Sequence, residues 1–158
     1  MFMKRFVAGA LLLSILFFNS CGKTTDSGCQ PVSVTTERPQ LIAFCSANNI
    51  IYTEHSSGLF YQVLSAGGGA TPSSTSTISV TYTGTLLNGT IFDSTSTPAT
   101  FALSTLIDGW KIGMPLIQKG GRIKLVIPSA LAWSCSGSGT KIPSNAPVFF
   151  DVTLTDVK

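Results

Sequence analysis

The groups able to do acid–base or metal chemistry in this 158-residue chain are few: one histidine, seven acidic and ten basic residues, and four cysteines. Cys21, Cys29, Cys45 and Cys135 include no CxxC pair, and a single histidine cannot complete a zinc site, so no metal is expected. His55 has the right chemistry for a pH switch, but Glu54-His55-Ser56 ahead of Gly58 reads as an exposed turn. Gly67-Gly68-Gly69 lacks a lysine and the GxGxxG spacing, so it reads as a flexible loop and not a phosphate cradle. Lys119, Lys124 and Lys141 are scattered and read as solvated. Aromatic side chains are the richer resource, with ten Phe, three Tyr and two Trp. Taken singly, each reads as core packing, and Asp93 reads as a turn residue or cap.

The elements that must position these residues follow from composition and periodicity. The length favours one domain. Hydrophobic residues make up 44% and charged residues 11%, which excludes a soluble disordered chain. A net charge of +3 with no basic stripe excludes a nucleic-acid binder held by phosphate contacts. Three segments alternate with period two. Ile78, Val80 and Tyr82 oppose Ser79, Thr81 and Thr83; Ile123, Leu125 and Ile127 oppose Arg122, Lys124 and Val126. Val148, Phe150, Val152 and Leu154 oppose Phe149, Asp151, Thr153 and Thr155. Such strands build an antiparallel sheet with one covered face. Leu59 to Leu64 reads as a further strand. Asn88-Gly89 is a turn before a strand at Thr90 to Asp93. Asp108 to Leu116 is a short helical candidate. Upstream, Thr35 or Thr36 would cap a helix running to about Asn48, with Glu37 and Pro39 near its start. Its apolar face would carry Leu41, Ile42, Phe44 and Cys45. The expected fold class is α+β: an antiparallel β-sheet wrapped over one short α-helix, with a short helical N-terminal extension.

Residues 1–20 read as a leader. Lys4 and Arg5 precede an apolar run from Phe6 to Phe18, too short to span a bilayer comfortably. Cys21, after Ser20 and before Gly22, resembles the lipobox of bacterial lipoproteins, although Phe18 stands where Leu is usual. The resemblance implies acylation of Cys21 and membrane anchoring through several acyl chains. Losing Lys4 and Arg5 leaves eight basic residues against seven acidic ones, a nearly neutral protein. The expected location is the cell envelope, lipid-anchored to the outer membrane. The expected organisation is 1–20 leader, 21–57 tether and helical extension, and 58–158 folded domain. In an oxidising compartment, Cys29 and Cys45 are expected to pair, closing a loop of about sixteen residues worth roughly 3 kcal/mol. The alternative is a buried free thiol at Cys45, and Cys135 would pair elsewhere or stay free.

Four ordered blocks carry a second resemblance: 80-VTYTGTLLNGTIFDS-94, 106-LIDGWKIGM-114, 120-GGRIKLVIPSALAW-133 and 142-IPSNAPVFFDVTL-154. They resemble the FKBP-type peptidyl-prolyl cis-trans isomerases over about Ile78 to Lys158. The resemblance implies a dry aromatic pocket that twists Xaa-Pro amides without cofactor or metal. By position, Trp110 would be its floor, and Tyr82, Phe92 and Phe150 its walls. Leu106 and Ile107 would line the rim, the Ile107 N–H donating to the substrate carbonyl. Asp93 would orient or polarise the twisting amide, and Ile142 would close the far side. Implied partners are Xaa-Pro segments of unfolded or exported proteins, and macrolide inhibitors. Nucleic acid is not among them, and monomer and homodimer both remain open.

The sequence departs from the family at two places. Ala132-Trp133-Ser134 replaces Ala-Tyr-Gly, so an indole N–H from Trp133 stands in for a phenolic O–H. Ala99 replaces an aromatic wall two residues before Phe101. Both imply a wider pocket with lower activity and macrolide affinity. They keep a second reading in view: a peptide-binding or chaperone lipoprotein of the same fold without useful catalysis.

Overall fold

The computed structural model describes residues 28–158; the leader and Cys21 lie outside the described residues. Six strands form one sheet: β1 (Thr53–Glu54), β2 (Phe60–Ser65), β3 (Thr77–Leu86), β4 (Ile91–Ala102), β5 (Arg122–Ile127) and β6 (Val148–Val157). Their order is β1-β2-β5-β6-β3-β4, and every pair is antiparallel. Two α-helices complete the described fold: α1 (Val34–Ala47) and α2 (Asp108–Gly113). A 3-10 turn over Met114–Leu116 extends α2.

One face of the sheet wraps α2. Ile78, Val80, Ile123, Leu125, Ile127, Val148, Phe150, Val152 and Leu154 turn inward, as the alternation predicts, and all are buried. Helix α2 lies on β5 through Gly109 and Gly113. A Cβ at Gly109 would stand 2.5 Å from Ile127, and one at Gly113 would stand 2.6 Å from Leu125. Larger residues at these positions would push the helix off the sheet and carry Trp110 with it.

The other face is partly covered as well. Helix α1 places Glu37, Leu41 and Cys45, spaced by four residues, against the outer side of the sheet. Leu41, Cys45, Ile50, Phe60 and Val126 form a second buried cluster, with Ile42, Phe44, Tyr52, Leu87 and Phe149 packed around it. Val126, expected to face water, is therefore fully buried. The helix starts two or three residues earlier than predicted. Ser33 is its cap, its Oγ accepting from the Thr36 N–H at 3.2 Å. Pro39 consequently sits inside the helix, where it removes one backbone bond and does not simply open the first turn. Strand β4 is longer than expected, reaching Ala102. It is an edge strand, so Pro98 and the polar run from Ser94 to Thr97 are tolerated there.

The expected Cys29–Cys45 pairing is not formed. Cys29 bonds Cys135, 106 residues away, and Cys45 is a buried free thiol. Helix α1 buries Cys45 against the sheet beside Phe60 and Val126, and burial pushes its thiol up to about 11. A crosslink over a loop of this size removes roughly 4–5 kcal/mol of chain entropy from the unfolded state. His55, expected in an exposed turn, does lie in the β1–β2 turn but is half-buried. Its Nδ1 accepts from the Ser57 N–H at 3.1 Å. Non-reducing peptide mapping should recover a Cys29–Cys135 crosslinked fragment, with Cys45 alkylated only after denaturation. Rapid labelling of Cys45 in the native protein would contradict the packing of α1.

Candidate functional site

The β3–β4 hairpin explains how two consecutive residues reach one cavity. Gly84 pairs with Asp93 and Thr85 with Ile91, so Phe92 is the extra residue of a β-bulge. A bulge re-aims side chains that regular alternation would send to opposite faces. Phe92 and Asp93 accordingly both line the cavity. Gly84 makes room for them: a Cβ there would meet Phe150 at 2.7 Å and Phe92 at 2.8 Å. Tyr82 pairs with Thr95, which makes Asp93 its diagonal neighbour on the same face.

The cavity has a volume of about 530 Å³. Trp110, 4% exposed, rises from the first turn of α2 to form its base. Phe150 stands edge-on to Trp110 at 5.2 Å, and Tyr82 does so at 5.5 Å. Phe92 meets Phe150 at 5.4 Å and Trp133 at 5.9 Å, both near-perpendicular. These edge-to-face contacts suit the ring quadrupoles and hold each wall at a fixed angle. Leu106 and Ile107 line the approach to α2, and Ile107 is its N-cap residue. Leu106, Trp110 and Lys111 spend their N–H groups on local turn and helix bonds; the Ile107 N–H makes no such bond among the described residues.

Every pocket residue expected from sequence lines this cavity: Tyr82, Phe92, Asp93, Leu106, Ile107, Trp110, Trp133, Ile142 and Phe150. Ala99 does not, and Phe101 does, its ring 6.3 Å from Tyr82. Phe101 was missed as a wall, although its pairing with Ile78 puts it on the inner face. Lys141 was read as solvated. It is exposed, and it also lines the cavity and donates from Nζ to the Phe92 carbonyl at 3.1 Å. No periodicity marks it, because it lies in an irregular loop.

Polar chemistry is confined to the rim. The Tyr82 hydroxyl donates to Asp93 Oδ2 at 2.5 Å. Burial, then the hydrogen bond to Asp93, then the Asp93 charge, push the Tyr82 phenol up to about 12. Tyr82 therefore stays a neutral donor at any physiological pH, and one Asp93 oxygen is already engaged. The arrangement can hold a small apolar ring against Trp110 and offer an N–H and a carboxylate at its mouth.

An antiparallel sheet wrapped on a short helix, with an aromatic pocket at the helix start, is the architecture that the four sequence blocks imply. Residues 68–155 match the family described as FKBP-type peptidyl-prolyl cis-trans isomerase, more than half the chain, and the chain belongs to this family. It is 47% identical over 106 residues to FkpA, an FKBP-type peptidyl-prolyl cis-trans isomerase of Escherichia coli K12. That match covers 65% of this chain and 39% of the relative. It is 40% identical over 105 residues to the outer membrane protein MIP of Legionella longbeachae, covering 65% of this chain and 45% of the relative. The match thus takes up less than half the length of either relative. The crystal structure of E. coli FkpA superposes with a TM-score of 0.70 at 38% identity, over 79% of this chain and 61% of that one. A peptidyl-prolyl isomerase of Pseudomonas syringae pv. tomato superposes at 0.68 and 27% identity, over 82% and 98% of the two chains.

Tyr82 titration tests the rim. Its folded-state value lies above its ordinary value of 10.0. The neutral phenol therefore contributes its full stability below about pH 10 and loses it as pH rises through about 12. Absorbance at 295 nm should show a phenolate component that is still forming above pH 11. It should vanish in Tyr82→Phe and move to lower pH in Asp93→Asn. A Tyr82 ionising near its ordinary value would mean that neither its burial nor the Asp93 bond holds.

Proposed function

We propose that the chain is a peptidyl-prolyl cis-trans isomerase that accelerates folding of exported proteins at slow Xaa-Pro bonds. The observation that carries this reading is the cavity itself: a buried Trp110 base walled by Tyr82, Phe92 and Phe150. Resonance holds the Xaa-Pro amide planar behind a barrier of ~18–20 kcal/mol, and exchange in water takes tens to hundreds of seconds. Twisting the C–N bond removes the resonance and makes the carbonyl less polar. A dry aromatic cavity solvates the planar, polar amide worse than water does and penalises the twisted form less. That difference is preferential binding of the transition state, and each ~1.4 kcal/mol of it gives about tenfold in rate.

In this mechanism the proline ring rests on Trp110, and the Ile107 N–H donates to a substrate carbonyl. Asp93, held by the Tyr82 hydroxyl, orients the twisting amide. Ile142 and Trp133 close the far side, the latter with an indole N–H. Residues 58–158 would be the catalytic domain and 21–57 the tether and helical extension. Lipid anchoring through Cys21 would hold it at the cell envelope, a reading supported by the lipobox-like leader and by a relative named an outer membrane protein. A second reading, peptide holding without turnover, is favoured by Trp133 in place of tyrosine.

Catalysis of cis-to-trans exchange in short Xaa-Pro peptides decides between them. The wild-type chain should accelerate exchange. Trp110→Ala should lower kcat/KM by about tenfold or more, equivalent to about 1.4 kcal/mol of transition-state preference. Asp93→Ala should lower it by a similar factor while the fold persists. No acceleration by folded, disulfide-intact protein would leave the holding function as the better reading.

A further inference from the structure

Three contacts tie the N-terminal segment to the loop that carries Trp133, and the proposed catalysis uses none of them. In α1, Glu37 is 5% exposed, and Ser129, 92 residues later, is fully buried. One Glu37 carboxylate oxygen accepts from the Ser129 N–H at 2.7 Å, the other from the Ser129 hydroxyl at 2.5 Å. A buried carboxylate is tolerated only where its oxygens are bonded. Here both donors belong to one residue, the first of the 3-10 turn Ser129–Leu131 that leads into Trp133. Further along, Cys29 bonds Cys135, and the Asn145 side-chain amide donates to the Gln30 carbonyl at 2.9 Å.

The loop between these ties is strained. Ser134 has φ 46° and Asn145 has φ 55°, both in the left-handed region. Such residues cost on the order of 1 kcal/mol or more and persist only where their surroundings over-determine them. Ser134 directly follows Trp133, and its carbonyl accepts from the Asn145 N–H at 2.7 Å. The angle of Trp133 against Phe92 therefore depends on a loop backbone that carries two left-handed residues, Ser134 and Asn145.

We propose that Glu37 is a positioning residue for the pocket: it pins the start of the 129–145 loop so that Trp133 keeps its wall. Its effect on turnover rests on the isomerase reading; its effect on the loop does not. Hydrogen exchange on the full chain reads the loop without any catalysis. In Glu37→Ala, amides in 130–142 should exchange about tenfold faster or more, while β3 and β6 keep their rates. In turnover of an Xaa-Pro peptide, Glu37→Ala should lower kcat/KM about fivefold with Trp133 present. In a Trp133→Ala background the same change should cost less than about twofold, because its target is gone. Glu37→Gln keeps one acceptor and Ser129→Ala keeps the N–H bond, so both should give intermediate losses. They carry the same comparison if Glu37→Ala fails to fold. Loosening spread evenly over the sheet, or equal losses in both backgrounds, would overturn the proposal. Wild-type protein without turnover would instead overturn the isomerase reading, and exchange would still decide the role of Glu37.

Discussion

The two glycines of α2 set the distance between that helix and β5, and the depth of the cavity follows from it. With a hydrogen atom at Gly109 and Gly113, the helix backbone rests on Ile127 and Leu125. The next residue, Trp110, is then directed into the hollow of the sheet with its ring against Tyr82 and Phe150. Were the helix carried one methyl group further out, the ring would lose those edges and the hollow would fill or collapse. The helix spans six residues, too few to be stable alone, so it exists because the sheet closes on it. Pocket and fold are thus one packing problem.

Dryness is the second constraint, and it explains where the polar atoms are. The base and inner walls are aromatic rings and aliphatic side chains. The carboxylate of Asp93 and the ammonium of Lys141 stand at the edge, on exposed residues. Tyr82 bridges the zones: its ring packs among Trp110, Phe101 and Phe150 while its hydroxyl reaches Asp93. A neutral phenol can do this where a charged group could not, since burying an unpaired charge is far costlier. The β-bulge at Phe92 serves the same division. It lets one strand deliver a wall and a rim group side by side.

The strands whose inner faces are apolar were legible from alternation alone: β3 and β6 each bury one parity of residues, and β5 does so except at Val126. Strand β4 was legible only at its start. As an edge strand it buries little, and Thr-Ser-Thr-Pro carries no period. The cap of α1 was misread because Ser33, Thr35 and Thr36 are all good caps, and local sequence does not rank them. An apolar helix stripe likewise does not say which surface receives it, so the burial of Val126 under α1 was hidden. The cysteine pairing failed for the same reason. Proximity in sequence favoured Cys45, while the fold brings Cys135 from 106 residues away. The pocket residues were legible through the family blocks, which preserve order and spacing. Lys141 and Phe101 lie outside what those blocks assign.

Trp133 and Ser134 are best understood together. The family places glycine after its tyrosine, and the backbone at Ser134 shows why: φ 46° is a conformation glycine adopts freely and serine does not. Serine there needs an external hold, and the chain supplies one through the neighbouring Cys135 and the Asn145 contact to Ser134. A larger aromatic at 133 also needs a firmer anchor than a tyrosine, because a misplaced indole would fill the mouth of the cavity instead of lining it. The buried Glu37–Ser129 pair provides that anchor from the opposite side of the sheet. The N-terminal segment, read from sequence as a tether, is on these grounds part of the architecture that shapes the pocket.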